Sequence, residues 1–188
     1  MSSSATQRPP SAAGENAMRF SGKVWCFGDD INTDLIQPIP VLFMPVAEQA
    51  RHVFAANRPG WAEQVRAGDI LVAGRNFGMG SGRPAARVLK DLGIACLLAE
   101  SINGLFFRNC VNYGFAALEV TGVREAFEEG DRAEVDMATA KVTNVRTGAS
   151  LTGRRWPDLL YNILEKGGVL PLLEAEGLLE PAGAEDED

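Results

Sequence analysis

A chain of 188 residues, 46% hydrophobic and 23% charged, has room for one core-bearing domain with tails and falls outside the disordered and collagenous classes. Its net charge of −7 sits at one end: seven acids from Glu174 to Asp188 follow Lys166, the last basic residue, and the remainder balances at eighteen acids against eighteen Lys and Arg. A neutral body with an acidic tail offers no electrostatic footprint for nucleic acid. No apolar run reaches the roughly 18–20 residues of a membrane span, and the first 20 residues lack the apolar core of a signal peptide. The expectation is a cytoplasmic protein with neither nucleic acid nor membrane as partner.

Residues 1–17 (MSSSATQRPPSAAGENA) are polar and aperiodic and read as a flexible leader. The domain is expected over 18–168, followed by a solvated acidic tail over 169–188. VWCFG (24–28) is a short strand, and DDINTD after it is dense in turn formers. In QPIPVLFMP, Pro38, Pro40 and Pro45 disfavour a regular helix or central strand, leaving an extended loop that displays Val41, Leu42, Phe43 and Met44. Val46, Ala47, Ala50, Val53 and Phe54 follow helical spacing and put the sole histidine, His52, on a helix surface. That placing speaks against a zinc site or a Ser-His-Asp triad built on it.

GDILVAG (68–74), IACLLA (94–99) and FAALEV (115–120) have the length and continuity of buried strands. Between the first two, Ala85, Ala86, Val88, Leu89 and Leu92 mark a helix stopped by Gly93; between the last two, Ile102, Leu105, Phe106 and Cys110 mark another, ending near Gly114. RAEVDM and AKVTNV alternate as a hairpin, and Trp156 to Lys166 forms a last helix. The fold class is therefore α/β, with a mainly parallel sheet flanked by helices and a C-terminal hairpin. Cys26, Cys96 and Cys110 are scattered, lack a C-x-x-C pair and read as small core hydrophobes.

The stretch GRNFGMGSGRPAARVLKDLG is the segment with chemistry in it. Gly78, Gly80 and Gly82 permit backbone angles that other residues resist and let a ligand approach the main chain. Pro84 suits the first helical position, with Ser81 or Gly82 as N-cap. Free N–H groups and the positive helix end would then favour a carboxylate or phosphate, Arg83 would grip a planar carboxylate, and the same amides would ease ionisation of the Ser81 hydroxyl. A structural turn that binds nothing is the plainer reading. A dinucleotide fingerprint fails because position 83 is Arg, and a P-loop fails because no Gly-Lys-Ser/Thr occurs.

The ordered motifs GDDINTDLIQP (28–38), GRNFGMGSGRPAA (74–86) and ESINGLFFRNCVNYGFAALEV (100–120) resemble the small subunit of 3-isopropylmalate dehydratase, itself similar to the swivelling C-terminal domain of aconitase, over about Met18 to Lys166. The resemblance implies an aconitase-type swivelling β/α domain. It also implies half of a hydro-lyase of leucine biosynthesis, active as a heterodimer with an aconitase-like large subunit that carries the 4Fe–4S cluster, with no cofactor on this chain. The substrate would be a small dicarboxylate. In the family's Gly-x-Gly-Ser-Ser-Arg-Glu loop the first Ser is the base and the Arg holds a substrate carboxylate; Ser81 and Arg83 match these, with Gly80 and Gly82 beside the substrate.

The chain departs from the family pattern at Gly82, in place of the second Ser, at Pro84-Ala85, in place of Glu-His, and at Met79, where a cysteine is frequent. Asn32, Thr33 and Asp34 match a loop read mainly as structural, near the substrate mouth. Val41-Leu42-Phe43-Met44 stands where the family often has Tyr-Leu-Arg-Thr and lacks its cation, which suits an alkyl-substituted malate, with Val41, Leu42 and Phe43 toward its substituent, better than a tricarboxylate; packing on the large subunit is the competing reading of Val41 to Met44. Arg108, Asn109 and Asn112 match a helix motif read as structural support, and Arg75 and Asn76 would bring a second donor to the site. The loss of the second Ser and of Glu-His leaves open a non-catalytic dicarboxylate-binding or regulatory homologue.

Overall fold

The computed structural model describes residues 18–179, so the leader (1–17) and the last nine residues of the acidic tail lie outside the described residues. In chain order the elements are β1 (Arg19–Cys26), three one-turn helices α1 (Thr33–Ile36), α2 (Ile39–Leu42) and α3 (Val46–Gln49), a 3-10 turn Ala50–His52, and α4 (Trp61–Gln64). The parallel unit follows: β2 (Ile70–Ala73), α5 (Ala85–Leu92), β3 (Cys96–Ala99), α6 (Gly104–Tyr113) and β4 (Ala116–Glu119). Then come α7 (Val123–Ala126), β5 (Arg132–Asp136), β6 (Lys141–Asn144), β7 (Ser150–Thr152), α8 (Asp158–Glu165) and α9 (Val169–Ala175).

One seven-stranded sheet runs in the order β4-β3-β2-β1-β5-β6-β7. β1 to β4 are parallel, and β5 to β7 add an antiparallel edge. Every residue of β2 and β3 is buried, as expected of short apolar strands covered on both faces. β1 is the hinge of the sheet. Its apolar end pairs with β2 (Val24↔Ile70 to Cys26↔Val72), while its amphipathic start pairs with β5 (Arg19↔Asp136 to Lys23↔Arg132). Only the apolar end announced itself as a strand in the sequence, because Arg19–Lys23 gain their pairing from residues more than a hundred positions away.

The two helices of the parallel unit turn their apolar stripes inward, Ala85, Ala86, Val88 and Leu89 on α5 and Phe106, Cys110 and Val111 on α6. Each ends at a left-handed glycine, Gly93 and Gly114, as their spacing predicts. An aromatic knot of Trp25, Phe27, Phe54 and Trp61, with ring centroids 4.4–5.8 Å apart, fastens the 53–61 connection to β1.

Three expectations need correction. The 38–45 stretch is not an extended loop but holds a one-turn helix and leads into another: Pro38 and Pro45 precede α2 and α3, and Pro40 stands in the first turn of α2, where no backbone N–H is needed. The hairpin is the start of a three-stranded edge, since β7 pairs with β6. Residues 169–175, placed in the tail by charge, form α9, which packs against α6 and α8. The chain reaches that position by close backbone contact: a Cβ on Gly114 would lie 2.1 Å from the Gly167 carbonyl carbon.

Candidate active site

Because β1 and β2 are parallel neighbours, the loops that leave them, 27–32 and 74–84, emerge at the same end of the sheet. They are stitched by main-chain bonds: Gly74 N–H to Gly28 O (3.1 Å), Asp30 N–H to Arg75 O (2.8 Å), Gly78 N–H to Ile31 O (2.6 Å) and Thr33 N–H to Met79 O (2.8 Å). Asp29 adds its carboxylate, which accepts the Arg75 N–H at 2.7 Å. Gly78 has φ +79°, and a Cβ there would lie 2.2 Å from the Phe106 ring; nothing but glycine lets the loop pass over α6. Asn76, also at positive φ, braces the turn by donating to Asp30 (2.9 Å) and, through its N–H, to Ser101 Oγ (2.8 Å). It is a strut of the loop, not a second donor to a ligand, while the Arg75 side chain is exposed.

Ser81 is exposed, and its contacts come from one residue. Thr33, only 1% exposed, accepts the Ser81 N–H on its Oγ1 at 3.1 Å, and the two hydroxyls lie 3.4 Å apart. Asn32 orients Thr33 by capping α1, its Oδ1 accepting the Leu35 N–H at 2.8 Å. Arg83 turns back over the same loop. Its Nη1 donates to the Gln37 carbonyl at 2.8 Å, and its Nη2 pairs with the Asp34 carboxylate. The Arg83 side chain is largely buried, whereas that of Asp34 is more than half exposed. The guanidinium of Arg83, two residues along the loop from Ser81, is thus already seated on a carboxylate.

Ser81 is not the cap of α5. That helix starts at Ala85, with Pro84 as N-cap and no side-chain cap bond, so Ser81 stands four residues upstream, outside the first turn in which a helix dipole acts strongly. The anion-friendly donors are those of the loop itself: among the described residues the N–H groups of Gly80, Gly82 and Arg83 have no hydrogen-bond partner. A Cβ on Gly82 would meet nothing closer than Leu105 at 3.8 Å.

The three residues expected at the substrate side chain part company. Val41, 5% exposed, belongs to the core and has no face left for a ligand; Leu42 is half-buried; Phe43, 85% exposed, projects from the 38–45 segment with Ile39 and Val46 exposed near it in sequence. The correction for Val41 is physical: once the segment coils into α2, one of its apolar residues must turn inward. On α6, Asn109 is buried and donates to the Leu105 carbonyl (3.4 Å), while Arg108 and Asn112 are exposed. His52 lies in the 3-10 turn. Burial pushes the thiols of Cys96 and Cys110 well up, and that of Cys26 up despite the nearby Arg124 guanidinium. Among the described residues no three His, Cys, Asp or Glu side chains group as metal ligands, and no helix is long and apolar enough to cross a membrane.

Sequence reasoning singled out Ser81 and Arg83 but gave little weight to Thr33 and Asp34, which touch them, and did not consider Gln37 and Gln49. The only signal for the last two was a polar amide on each side of an apolar, proline-rich run.

The fold and the paired loops define an aconitase-type domain: the family described as Aconitase C-terminal domain matches residues 46–122. Three known proteins narrow this. The chain is 40% identical over 157 residues, 82% of its length and 94% of the relative's, to the isopropylmalate/citramalate isomerase small subunit of Methanocaldococcus jannaschii. It is 40% identical over 151 residues, 79% of its length and 87% of the relative's, to the methanogen homoaconitase small subunit of Methanothermobacter thermautotrophicus. The crystal structure of 3-isopropylmalate dehydratase from M. jannaschii superposes with a TM-score of 0.81 at 31% identity, covering 86% of this chain and 96% of that one. The chain belongs to the 3-isopropylmalate dehydratase small-subunit family of aconitase-type isomerases.

Proposed function

We propose that this chain is the small subunit of a heteromeric hydro-lyase that acts on an alkyl-substituted malate, such as 3-isopropylmalate or a methylmalate, and is active only beside a cluster-bearing large subunit. Small subunits by name, its relatives support a two-chain enzyme. The observation that carries the reading is the arrangement of Ser81, exposed and held through its N–H by buried Thr33, next to an Arg83 guanidinium already seated against a carboxylate.

In this reading Arg83 exchanges Asp34 for a substrate carboxylate. Ser81 Oγ, as the alkoxide, takes the proton from the substrate carbon; the electrons of that C–H bond form the alkene as the C–O bond to the neighbouring hydroxyl breaks, and the oxygen leaves as hydroxide, which would become water on taking a proton from an acid outside this chain. The 4Fe–4S cluster of the large subunit supplies Lewis acidity toward that hydroxyl. A serine alkoxide is costly in water, so the loop donors at Gly80 and Gly82 and closure by the partner, which removes solvent from an otherwise exposed hydroxyl, are both required. Leu42 and Phe43 are the side chains for the alkyl group; an unpaired third carboxylate placed against them would be costly.

Occupation of Arg83 by the chain's own Asp34, together with Gly82, favours one other reading, a non-catalytic dicarboxylate-binding homologue. Anaerobic co-expression with the large subunit followed by an alkene-hydration assay separates them. The hydro-lyase reading expects turnover that drops by orders of magnitude in Ser81→Ala while the complex still assembles. A wild-type complex without turnover whose melting temperature nonetheless rises with a malate supports the binding homologue.

A further inference from the structure

A buried amide joins the segment that presents Phe43 to the residues that seat Arg83. Gln49, the last residue of α3 and 4% exposed, has a side chain that faces two ways. Its Oε1 accepts from Gln37 Nε2 at 2.9 Å and from Arg87 Nη2 at 3.2 Å. Its Nε2 donates to the carbonyls of Met44 at 2.9 Å and Leu42 at 3.5 Å. A guanidinium has only donors and a carbonyl only acceptors, so the orientation of the amide is dictated from both sides. Gln37, fully buried, in turn offers its own carbonyl to Arg83 at 2.8 Å. One side chain therefore links α5, through Arg87, to both walls of the site: the 42–44 turn and the Arg83 seat.

We propose that Gln49 is a positioning residue for substrate selection. It fixes how far Phe43 stands from the guanidinium of Arg83, and so the size of the substituent accepted next to the gripped carboxylate. This rests on the alkyl-malate reading above and names the element that sets its selectivity. Apolar residues suffice to bury a one-turn helix; a glutamine with every amide group committed does more, because it fixes a single position for the turn. Leaving such groups unpaired in the interior costs enough to displace a short surface segment.

The test uses the assembled two-subunit enzyme and two variants. Gln49→Met keeps the length and removes every bond. Gln49→Glu keeps acceptors for Gln37 and Arg87 but turns an oxygen toward the carbonyls of Leu42 and Met44. For both, KM for the preferred alkyl-malate is expected to rise about tenfold with kcat changed less than about threefold, the kcat/KM ratio between 3-isopropylmalate and citramalate is expected to fall toward one, and amide exchange over 39–45 is expected to speed up. A residue that only stabilises the fold would lower the melting temperature without moving the substrate ratio. An unchanged substrate ratio overturns the proposal, whatever the exchange over 39–45 does; if Gln49→Met does not fold, Gln49→Glu decides alone. If the wild-type complex dehydrates nothing, the function proposed above fails and the role in substrate selection fails with it; faster exchange in Gln49→Glu would then support only the tie between the 42–44 turn and the Arg83 seat, and equal exchange would refute that tie too.

Discussion

Thr33 holds Ser81 by the backbone: a hydroxyl that is almost wholly buried accepts the serine N–H at 3.1 Å and leaves the serine hydroxyl facing outward, 3.4 Å from its own. Replacing Thr33 by Val keeps the shape and removes both contacts. The loss of one partly buried hydrogen bond, about 1 kcal/mol, is expected to lower turnover of the assembled enzyme by roughly fivefold with little change in KM, and Thr33→Ser is expected to restore most of it. Steady-state kinetics on the three proteins checks this; a Thr33→Val enzyme as fast as wild type would detach Thr33 from the chemistry.

Arg83 uses two separate arms, one on the Gln37 carbonyl and one on the Asp34 carboxylate. An ammonium on a flexible stem cannot hold both. Arg83→Lys is expected to raise KM by about tenfold or more, with the complex still assembling on a sizing column. Equal KM values would show that the substrate carboxylate is held elsewhere.

Two glycines of one loop are expected to behave oppositely. Gly78→Ala must place a methyl 2.2 Å from the Phe106 ring at a φ of +79°, so a large fall in melting temperature and loss of activity are expected. Gly82→Ser meets only Leu105 at 3.8 Å and restores the hydroxyl of the family pattern; its melting temperature is expected to stay within about 1–2 °C of wild type. Thermal melts of both variants give the comparison, and comparable losses would mean that the loop is not shaped as described.

Acid sensitivity is expected to concentrate on the antiparallel edge. The Asp131 carboxylate is buried and accepts from Arg146 Nη2 (3.1 Å), Asn144 Nδ2 (2.7 Å) and the Glu128 N–H (3.0 Å). The Arg146 guanidinium foremost holds its pKa well below the ordinary carboxylate range. Because the folded-state pKa lies below the unfolded one, about 3.9, the stabilisation is complete above that value and fades as pH falls toward the folded-state one. Asp131→Asn is expected to melt lower than wild type at pH 7, with the gap narrowing below about pH 4. A gap that stays constant down to pH 3 would rule out the ion pair as its source.

Where apolar period and turn chemistry agreed, the sequence was readable. β2, β3, β4, α5 and α6 stand within a residue or two of their expected places because their buried faces and terminal glycines are local signals. What escaped depends on distant partners. The polar start of β1 needs β5, β7 is three residues long and needs β6, and α9 has no fully buried residue and is held by α6 and α8. At the site, Ser81 and Arg83 were legible from a motif. The support from Thr33, the contact of Asp34 with Arg83, and the tie through Gln37 and Gln49 were not, since residues 12 to 49 positions apart make them.

The side-by-side course of β1 and β2 ties catalytic lifetime to the middle of the sheet. Sliding one strand past the other by a single residue would carry one loop about 3.3 Å along its neighbour, further than the bond between a threonine oxygen and a serine amide can stretch. Heat inactivation should therefore keep pace with melting of the central strands, and mutations meant to prolong the working life of the protein belong around Val24–Cys26 and Ile70–Val72, far from the exposed tip at Phe43.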